Sequence, residues 1–310
     1  MKKILILGTG FIGSEIAYTF QKKYEIIAID HGKNFSQLKK KCKLVKFVKG
    51  DIYDSKLIKK ISSQVDIIFY CGNTGGVVDC IKNKNKFEKI NGEKFQKLIN
   101  ALKNNKQLHF FLFSSAYVYS DLKINKETDR LKPNTLYGKF RKNQELILQK
   151  TKLNFTILRI SNIFGYGHFM NLGNMGAIEK FINKIFEDQK IILHGDGSQN
   201  IDYVNKMELI KILKKLIKNL DKNRIYNVSS GENYSILDIA KKIKKISNEK
   251  YSIKIKIIKE NQKKKMQNLP KMSIKKIIEN EKCDPHKDLE REIIKMSRLS
   301  KLEHKRKIGN

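Results

Sequence analysis

The sequence predicts an α/β fold, a doubly wound parallel sheet followed by a smaller C-terminal lobe, on three observations. An apolar run, Ile4 to Leu7, leads into Gly8-Thr-Gly10-Phe-Ile-Gly13, and Ser14 to Phe20 continues at helical spacing. A second apolar run, Glu25 to Asp30, closes a strand–helix–strand unit on a carboxylate. The same alternation recurs as far as Ile160, as parallel strands joined by crossover helices require.

The glycine turn carries chemistry as well as fold. Gly8 bends the chain, Gly10 lets a pyrophosphate approach the backbone, and Gly13 lets helix pack on strand. Backbone N–H groups around Phe11, Ile12 and Gly13 then lie at the positive end of the helix, where phosphate is favoured. Asp30 stands 17 residues past Gly13, about where a dinucleotide fold places its ribose-binding carboxylate. A carboxylate there accepts both ribose hydroxyls and repels a 2′-phosphate, so the expected cofactor is NAD. Lys33 and the basic residues after it are the feature that would instead suit NADP.

The remaining elements follow in order. A basic helix is expected over Asn34 to Lys41, and a strand over Leu44 to Lys49 that runs into Gly50-Asp51-Ile52-Tyr53-Asp54. A helix at Ser55 to Ser62 precedes a strand at Val65 to Tyr70, closed by a glycine-rich loop to Gly76. Phe87 to Lys103 reads as one long helix, with Ile90, Phe95, Leu98, Ile99 and Leu102 near one face. Leu108 to Phe113 is the fifth strand and continues into Ser114-Ser115-Ala116-Tyr117-Val118-Tyr119. A helix over Leu136 to Lys150 and a strand over Phe155 to Ile160 complete the sheet.

Past Gly165 the rhythm changes to a glycine- and asparagine-rich loop, a helix from about Ala177, and an extended stretch from Ile191 to Val204. The helix from Met207 to Leu220 shows a core stripe with a lysine-rich, solvated back. Further elements are a helix from Ser235, a strand from Tyr251 to Ile258, and a loose apolar stripe of Leu289, Ile293, Met296 and Leu302. With no internal repeat and no low-complexity linker, two closely packed lobes are expected. The tail is expected to be an appendage docked on the smaller lobe. A dimer contact or an anionic membrane surface is the alternative for its basic end.

Composition narrows the function classes. Lys and Arg total 65 against 31 Asp and Glu, a net charge of +34. The lysines fall on nearly every expected helix, and Ile and Asn are abundant, as in the drift of an AT-rich genome. That spread argues against a specific nucleic-acid surface, while the charge itself still favours an anionic substrate. Four cysteines without paired spacing and six scattered histidines reveal neither a disulfide framework nor a metal site. No apolar run reaches the ~20 residues of a membrane span. The chain opens directly on a strand, so a cytoplasmic location is expected.

The chain resembles the extended short-chain dehydrogenases, specifically the NAD-dependent nucleotide-sugar epimerase/dehydratase family. The resemblance runs from the glycine turn through Gly50-Asp51, Ser114-Ser115-x-x-Val118-Tyr119, Tyr137-Gly138 and Leu158-Arg-Ile-Ser-Asn162-Ile-Phe-Gly165. It continues through Gly195-Asp-Gly-Ser-Gln199 and Tyr226-Asn-Val-Ser-Ser-Gly231, so it covers about residues 1 to 280. It implies an NAD-binding Rossmann domain over 1–165, a mainly substrate-binding lobe over 166–280 and a basic helical tail over 281–310. It further implies that Asp51 meets the adenine with Ile52 beside it, and that Asn162 holds the nucleotide-sugar. Ser115 and Tyr137 would flank the reacting sugar hydroxyl. Relatives commonly dimerise through the helices matching 87–103 and 136–150, so a homodimer is also implied.

Oxidising a secondary alcohol with NAD requires a base for the hydroxyl proton, and a tyrosine with a pKa of ~10 is a poor one at neutral pH. The family solves this with Tyr-x-x-x-Lys, since four residues make about one helical turn and put a cation beside the phenol. Here that lysine is Arg141, a bulkier group expected to slow the reaction and to respond favourably to Arg141→Lys. Glu145 supports this register. Ala116 and Tyr117 stand where family dehydratases place an acidic pair, so elimination lacks its acid. Ile201 replaces an arginine that many relatives direct at the diphosphate, and Leu7 replaces a frequent first glycine. The implied activity is therefore a C4 epimerase, with a reductase or a non-catalytic NAD-binding protein as alternatives. In the epimerase or the reductase Ser115, Tyr137 and Arg141 would carry the chemistry, and the same Tyr137 and Arg141 would touch the cofactor.

Overall fold

The first strand, β1 (Lys3–Leu7), is buried on both sides: Ile4 and Ile6 face one helical layer, and Leu5 and Leu7 the other. A computed structural model describes the chain except residues 73–74, 121–122, 169–175, 221–222, 261–267, 286–287 and 309–310. The glycine- and asparagine-rich loop expected after His168 therefore lies largely outside the described residues.

From β1 the chain passes through α1 (Gly13–Phe20), β2 (Glu25–Asp30), α2 (Phe35–Lys41), β3 (Val45–Lys49), α3 (Ser55–Ser62) and β4 (Ile67–Tyr70). Two short helices follow, α4 (Val77–Lys82) and α5 (Lys84–Glu88). Next come a π-helical turn (Lys89–Lys94), α6 (Phe95–Leu102) and β5 (His109–Ser115). Then come α7 (Leu136–Gln149), β6 (Asn154–Ile160), β7 (Asn162–Phe164), α8 (Ala177–Phe186), β8 (Lys190–His194) and β9 (Asn200–Asn205). The chain ends with α9 (Lys206–Leu216), β10 (Arg224–Val228), β11 (Asn233–Ser235), α10 (Ile236–Tyr251), β12 (Lys256–Glu260), α11 (Lys275–Glu281) and α12 (Leu289–Ile308).

Among the described residues the large sheet has seven parallel strands in the order β10-β6-β5-β4-β1-β2-β3. The order reverses between β1 and β4, and the crevice at the strands' carboxyl ends there is where such sheets take ligands. One face is covered by α1, α9 and α11, the other by α3, α6 and α7. The smaller lobe has a three-stranded sheet (β11-β9-β7) and a two-stranded one (β12-β8) around its own core from α8, α10 and α12.

Several expectations are refined by the packing. The helix foreseen at 87–103 is one helical path with a π-helical turn inside it. The strand foreseen from Tyr251 begins only at Lys256. The helical stripe Ile236, Ile239, Ala240, Ile243 and Ile246 carries α10 through Tyr251, whose ring packs on Phe186, and Ser252 then ends it in a left-handed conformation. The chain also crosses between lobes: β10, α9 and α11 belong with the large sheet. In the tail Leu289, Ile293 and Met296 are built into the small-lobe core.

One contact sets the position of α7. Glu145 is 0% exposed and Arg159, on β6, is 3% exposed. Arg159 donates through Nε and Nη2 to Glu145 at 2.8–3.2 Å, and through Nη1 to Tyr119 Oη (2.7 Å) and Glu127 O (3.0 Å). Ser114, on β5, donates to Glu145 at 2.5 Å. Removing one partner of such a pair strands a buried charge, at a cost of about 3–5 kcal/mol. Glu145→Ala is therefore expected to lower the unfolding free energy, read from urea titration, by that amount. A loss below about 1 kcal/mol, the range of an exposed pair, would show that burial confers no such dependence.

Candidate active site

The glycine turn is shaped by close approaches. Gly8 has φ +96°, and a Cβ there would lie 2.8 Å from Gly72 Cα; a Cβ on Gly13 would lie 2.0 Å from Gly8 O. At Gly10 a Cβ would meet nothing within 4 Å. That open approach to the backbone, just ahead of the first helical bond from Ser14 N to Gly10 O, is the cradle a pyrophosphate needs. Phe11 and Ile12 come next along the chain. Ile12 packs on the core, and Lys206 Nζ lies 4.2 Å from the centre of the Phe11 ring.

Asp30 ends β2 beside the turn, and its Oδ2 accepts from Thr9 N (2.6 Å) and Thr9 Oγ1 (3.0 Å). These bonds fix the carboxylate beside the glycine turn. Gly50 N donates to Asp30 O, which brings Asp51 to the same edge. Asp51 accepts from Tyr53 N and pairs with Lys94, and Ile52 is buried with its Cδ1 where a Gly72 side chain would be. The dinucleotide set is thus gathered at one end of the sheet, and its donors fit that cofactor.

Ser115 ends β5, and its Oγ accepts from Tyr117 N at 3.3 Å. Thr135 caps α7 by accepting from Gly138 N. A Cβ on Gly138 would lie 2.0 Å from Tyr117 O, so this glycine lets the first turn of α7 lie against residues 116–118. The Tyr117 and Tyr137 rings meet edge to face, centroids 5.8 Å apart. One turn on, Arg141 Nη2 donates to Tyr137 Oη at 2.9 Å, and its guanidinium carbon lies 4.8 Å from the ring centre. Burial and the facing Tyr137 push the Tyr117 phenol up to about 12. Ser115 and Tyr137 therefore sit on elements that touch, and Tyr137 and Arg141 touch directly.

Asn162 lies two residues past the carboxyl end of β6, opposite Tyr203 in the register of β7 and β9. Ile201 packs against the small-lobe core. The motif at 226–231 has a structural role, since Asp202 accepts from Ser230 N, Ser230 Oγ and Gly231 N.

Sequence reasoning passed over Asn91 and Gln144, both buried beneath Arg141. Their signal was available. Asn91 falls on the stripe Phe87, Phe95, Leu98 and Leu102, and Gln144 on the stripe Tyr137, Arg141 and Leu148. It also passed over Glu15, which pairs with Lys206 at 3.4 Å, both fully buried, and holds His168 through its backbone N at 2.9 Å.

Residues 4–229 match the model of the NAD dependent epimerase/dehydratase family. Over 275 residues the chain is 28% identical to a dTDP-D-glucose 4,6-dehydratase of Dictyostelium discoideum, covering 80% of this chain and 62% of that protein. Over 272 residues it is 25% identical to a UDP-glucose 4-epimerase of Lactobacillus helveticus, covering 80% and 82%. In fold it is similar to the UDP-glucose 4-epimerase of Bifidobacterium longum in complex with NAD+ and UDP, with a TM-score of 0.84 at 18% identity, covering 97% and 98%. The UDP-glucuronic acid 4-epimerase of Bacillus cereus gives 0.82 at 21%, covering 97% and 99%. The chain thus spans about three fifths of the length of the Dictyostelium relative. The glycine cradle, the Asp30 carboxylate and the family match agree on NAD as the cofactor, and the chain belongs to the NAD dependent epimerase/dehydratase family.

Proposed function

We propose that the protein is a nucleotide-sugar 4-epimerase that oxidises its substrate transiently at C4 and returns the hydrogen to the opposite face. The observation that carries this reading is the 2.9 Å bond from Arg141 Nη2 to Tyr137 Oη at the carboxyl edge of the sheet. NAD, when bound, supplies the reversible hydride chemistry. Tyr137 takes the proton of the sugar hydroxyl, and the guanidinium stabilises the negative charge on the phenol oxygen. Ser115, one element away, donates a hydrogen bond to the same sugar oxygen. Arg141 reaches the phenol directly, and its bulkier planar guanidinium in the place of an ammonium is expected to slow the hydride step, so Arg141→Lys should raise turnover.

The two residues after Ser115 favour epimerisation over dehydration. Elimination of water needs an acid and a base at the sugar's far side. Ala116 offers neither, and Tyr117, kept protonated at physiological pH, offers no base. Epimerase and dehydratase relatives match at similar identity, and the support for epimerisation is this local chemistry. Ile201 favours a second reading, a family member that binds NAD without turnover, because it places no cation at the diphosphate.

Tyr137→Phe is expected to remove nearly all 4-epimerisation of whichever of UDP-glucose, UDP-N-acetylglucosamine and UDP-glucuronic acid the parent inverts, while cofactor affinity, read by calorimetry, stays largely intact. Unchanged turnover would place the base elsewhere. At the cradle, Gly10→Ala is expected to weaken NAD binding while the melting temperature holds, because the added methyl fills only the ligand's space. Gly13→Ala is expected to lower both, since its methyl meets Gly8 O. Equal NAD affinity in Gly10→Ala and the parent would show that the pyrophosphate lies elsewhere.

A further inference from the structure

An arginine beside a phenol has an orientation to settle that a lysine lacks. An ammonium presents three donors around one axis, whereas a guanidinium is a planar fork whose plane must be turned toward its acceptor. Arg141 is buried, so water cannot settle that orientation. Protein groups do. While Nη2 reaches Tyr137 Oη, Nη1 donates to Gln144 Oε1 at 3.1 Å. Gln144 is itself fully buried, and its Nε2 donates to Asn91 Oδ1 at 3.2 Å; Asn91 in turn donates to Phe87 O at 2.9 Å.

The direction of this relay is set at its far end. The Phe87 carbonyl only accepts, so the Asn91 amide must donate to it and turn its own oxygen toward Gln144. Gln144 must then donate to Asn91 and turn its oxygen toward Arg141. Asn91 occupies the π-helical turn, a local departure from regular helix that is frequent at functional sites. Every amide in the relay thus has one orientation that satisfies it, and that orientation points an acceptor at the guanidinium edge away from Tyr137.

We propose that Gln144 is a positioning residue for the reaction at Tyr137, holding the Arg141 guanidinium so that Nη2 faces the phenol oxygen. It acts through Arg141 and touches neither substrate nor cofactor. The proposal rests on the assignment of Tyr137 as the base. It also states what accompanies arginine at this site: an acceptor three residues along the helix, held in place from outside it.

The test uses Gln144→Met, which keeps the length and volume of the side chain and removes its strong hydrogen bonds, the one with Tyr70 included. With seven arginines in the chain, selective 15N labelling resolves few guanidinium groups, and Arg141→Lys identifies the signals of Arg141. Separate Nη1 and Nη2 signals are expected in the parent, and merged signals in Gln144→Met as the group begins to rotate. The kcat for 4-epimerisation of the UDP-sugar that the parent inverts, among UDP-glucose, UDP-N-acetylglucosamine and UDP-glucuronic acid, is expected to fall ~10- to 100-fold, the scale of a misplacement near 1 Å, with unchanged KM and NAD affinity. In the Arg141→Lys background Gln144→Met should add no further loss, because an ammonium has no plane to orient. Separate Nη signals in Gln144→Met, or an equal kcat loss in both backgrounds, would overturn the proposal while leaving Tyr137 as the base. Full turnover in Tyr137→Phe would overturn the base assignment, and the proposal with it.

Discussion

The candidate site depends on α7 being held in one register against β5 and β6, and the buried pair of Glu145 with Arg159 supplies that constraint. Hydrophobic contact alone is non-directional and would leave a helix free to turn or slide on a sheet. The buried positions of α7 are Gly138, Arg141, Gln144, Glu145 and Leu148, of which only Leu148 is a large apolar residue. Orientation therefore falls to directional groups. Glu145 is gripped by Arg159 from β6 and by Ser114 from β5, and the next residue along β5 is Ser115. One interaction thus fixes both the helix that carries Tyr137 and Arg141 and the strand end that carries Ser115.

Much of this was legible in the sequence. The glycine turn, the apolar strands and the helix carrying Tyr137 follow from periodicity and local chemistry, because parallel strands buried on both faces read as unbroken apolar runs. The Tyr137–Arg141 contact was legible from its four-residue spacing. The relay beneath Arg141 was not. Gln144 and Asn91 are 53 positions apart, and only packing of α7 on the π-helical turn brings them together. The end of α10 was misplaced for a related reason. Ser252 to Ile258 alternates like a strand, and only the contact of Tyr251 with Phe186 shows how far the helix persists.

The two lobes are also tied by chemistry that no local pattern announces. Glu15, in the first turn of the glycine-loop helix, is buried against Lys206 at the start of α9, and Lys206 also donates to Tyr166 O. The turn that cradles the cofactor and the segment leading into the small lobe therefore share one buried charge pair. Asp202 plays the comparable part on the other side, gathering the Ser230–Gly231 turn onto β9. Across these contacts the carboxylates hold backbone and lobes together.

The central claim, that hydrogen leaves C4 and returns within one catalytic cycle, is tested most directly by isotope retention. The NAD-loaded protein would be incubated with UDP-glucose, UDP-N-acetylglucosamine and UDP-glucuronic acid, each carrying deuterium at C4, and the products analysed by mass spectrometry and NMR. The account predicts a C4-inverted product from at least one of them, with the deuterium still at C4 and no net consumption of cofactor. Loss of the deuterium to solvent, stoichiometric conversion of cofactor, or no inversion of any of the three would contradict it.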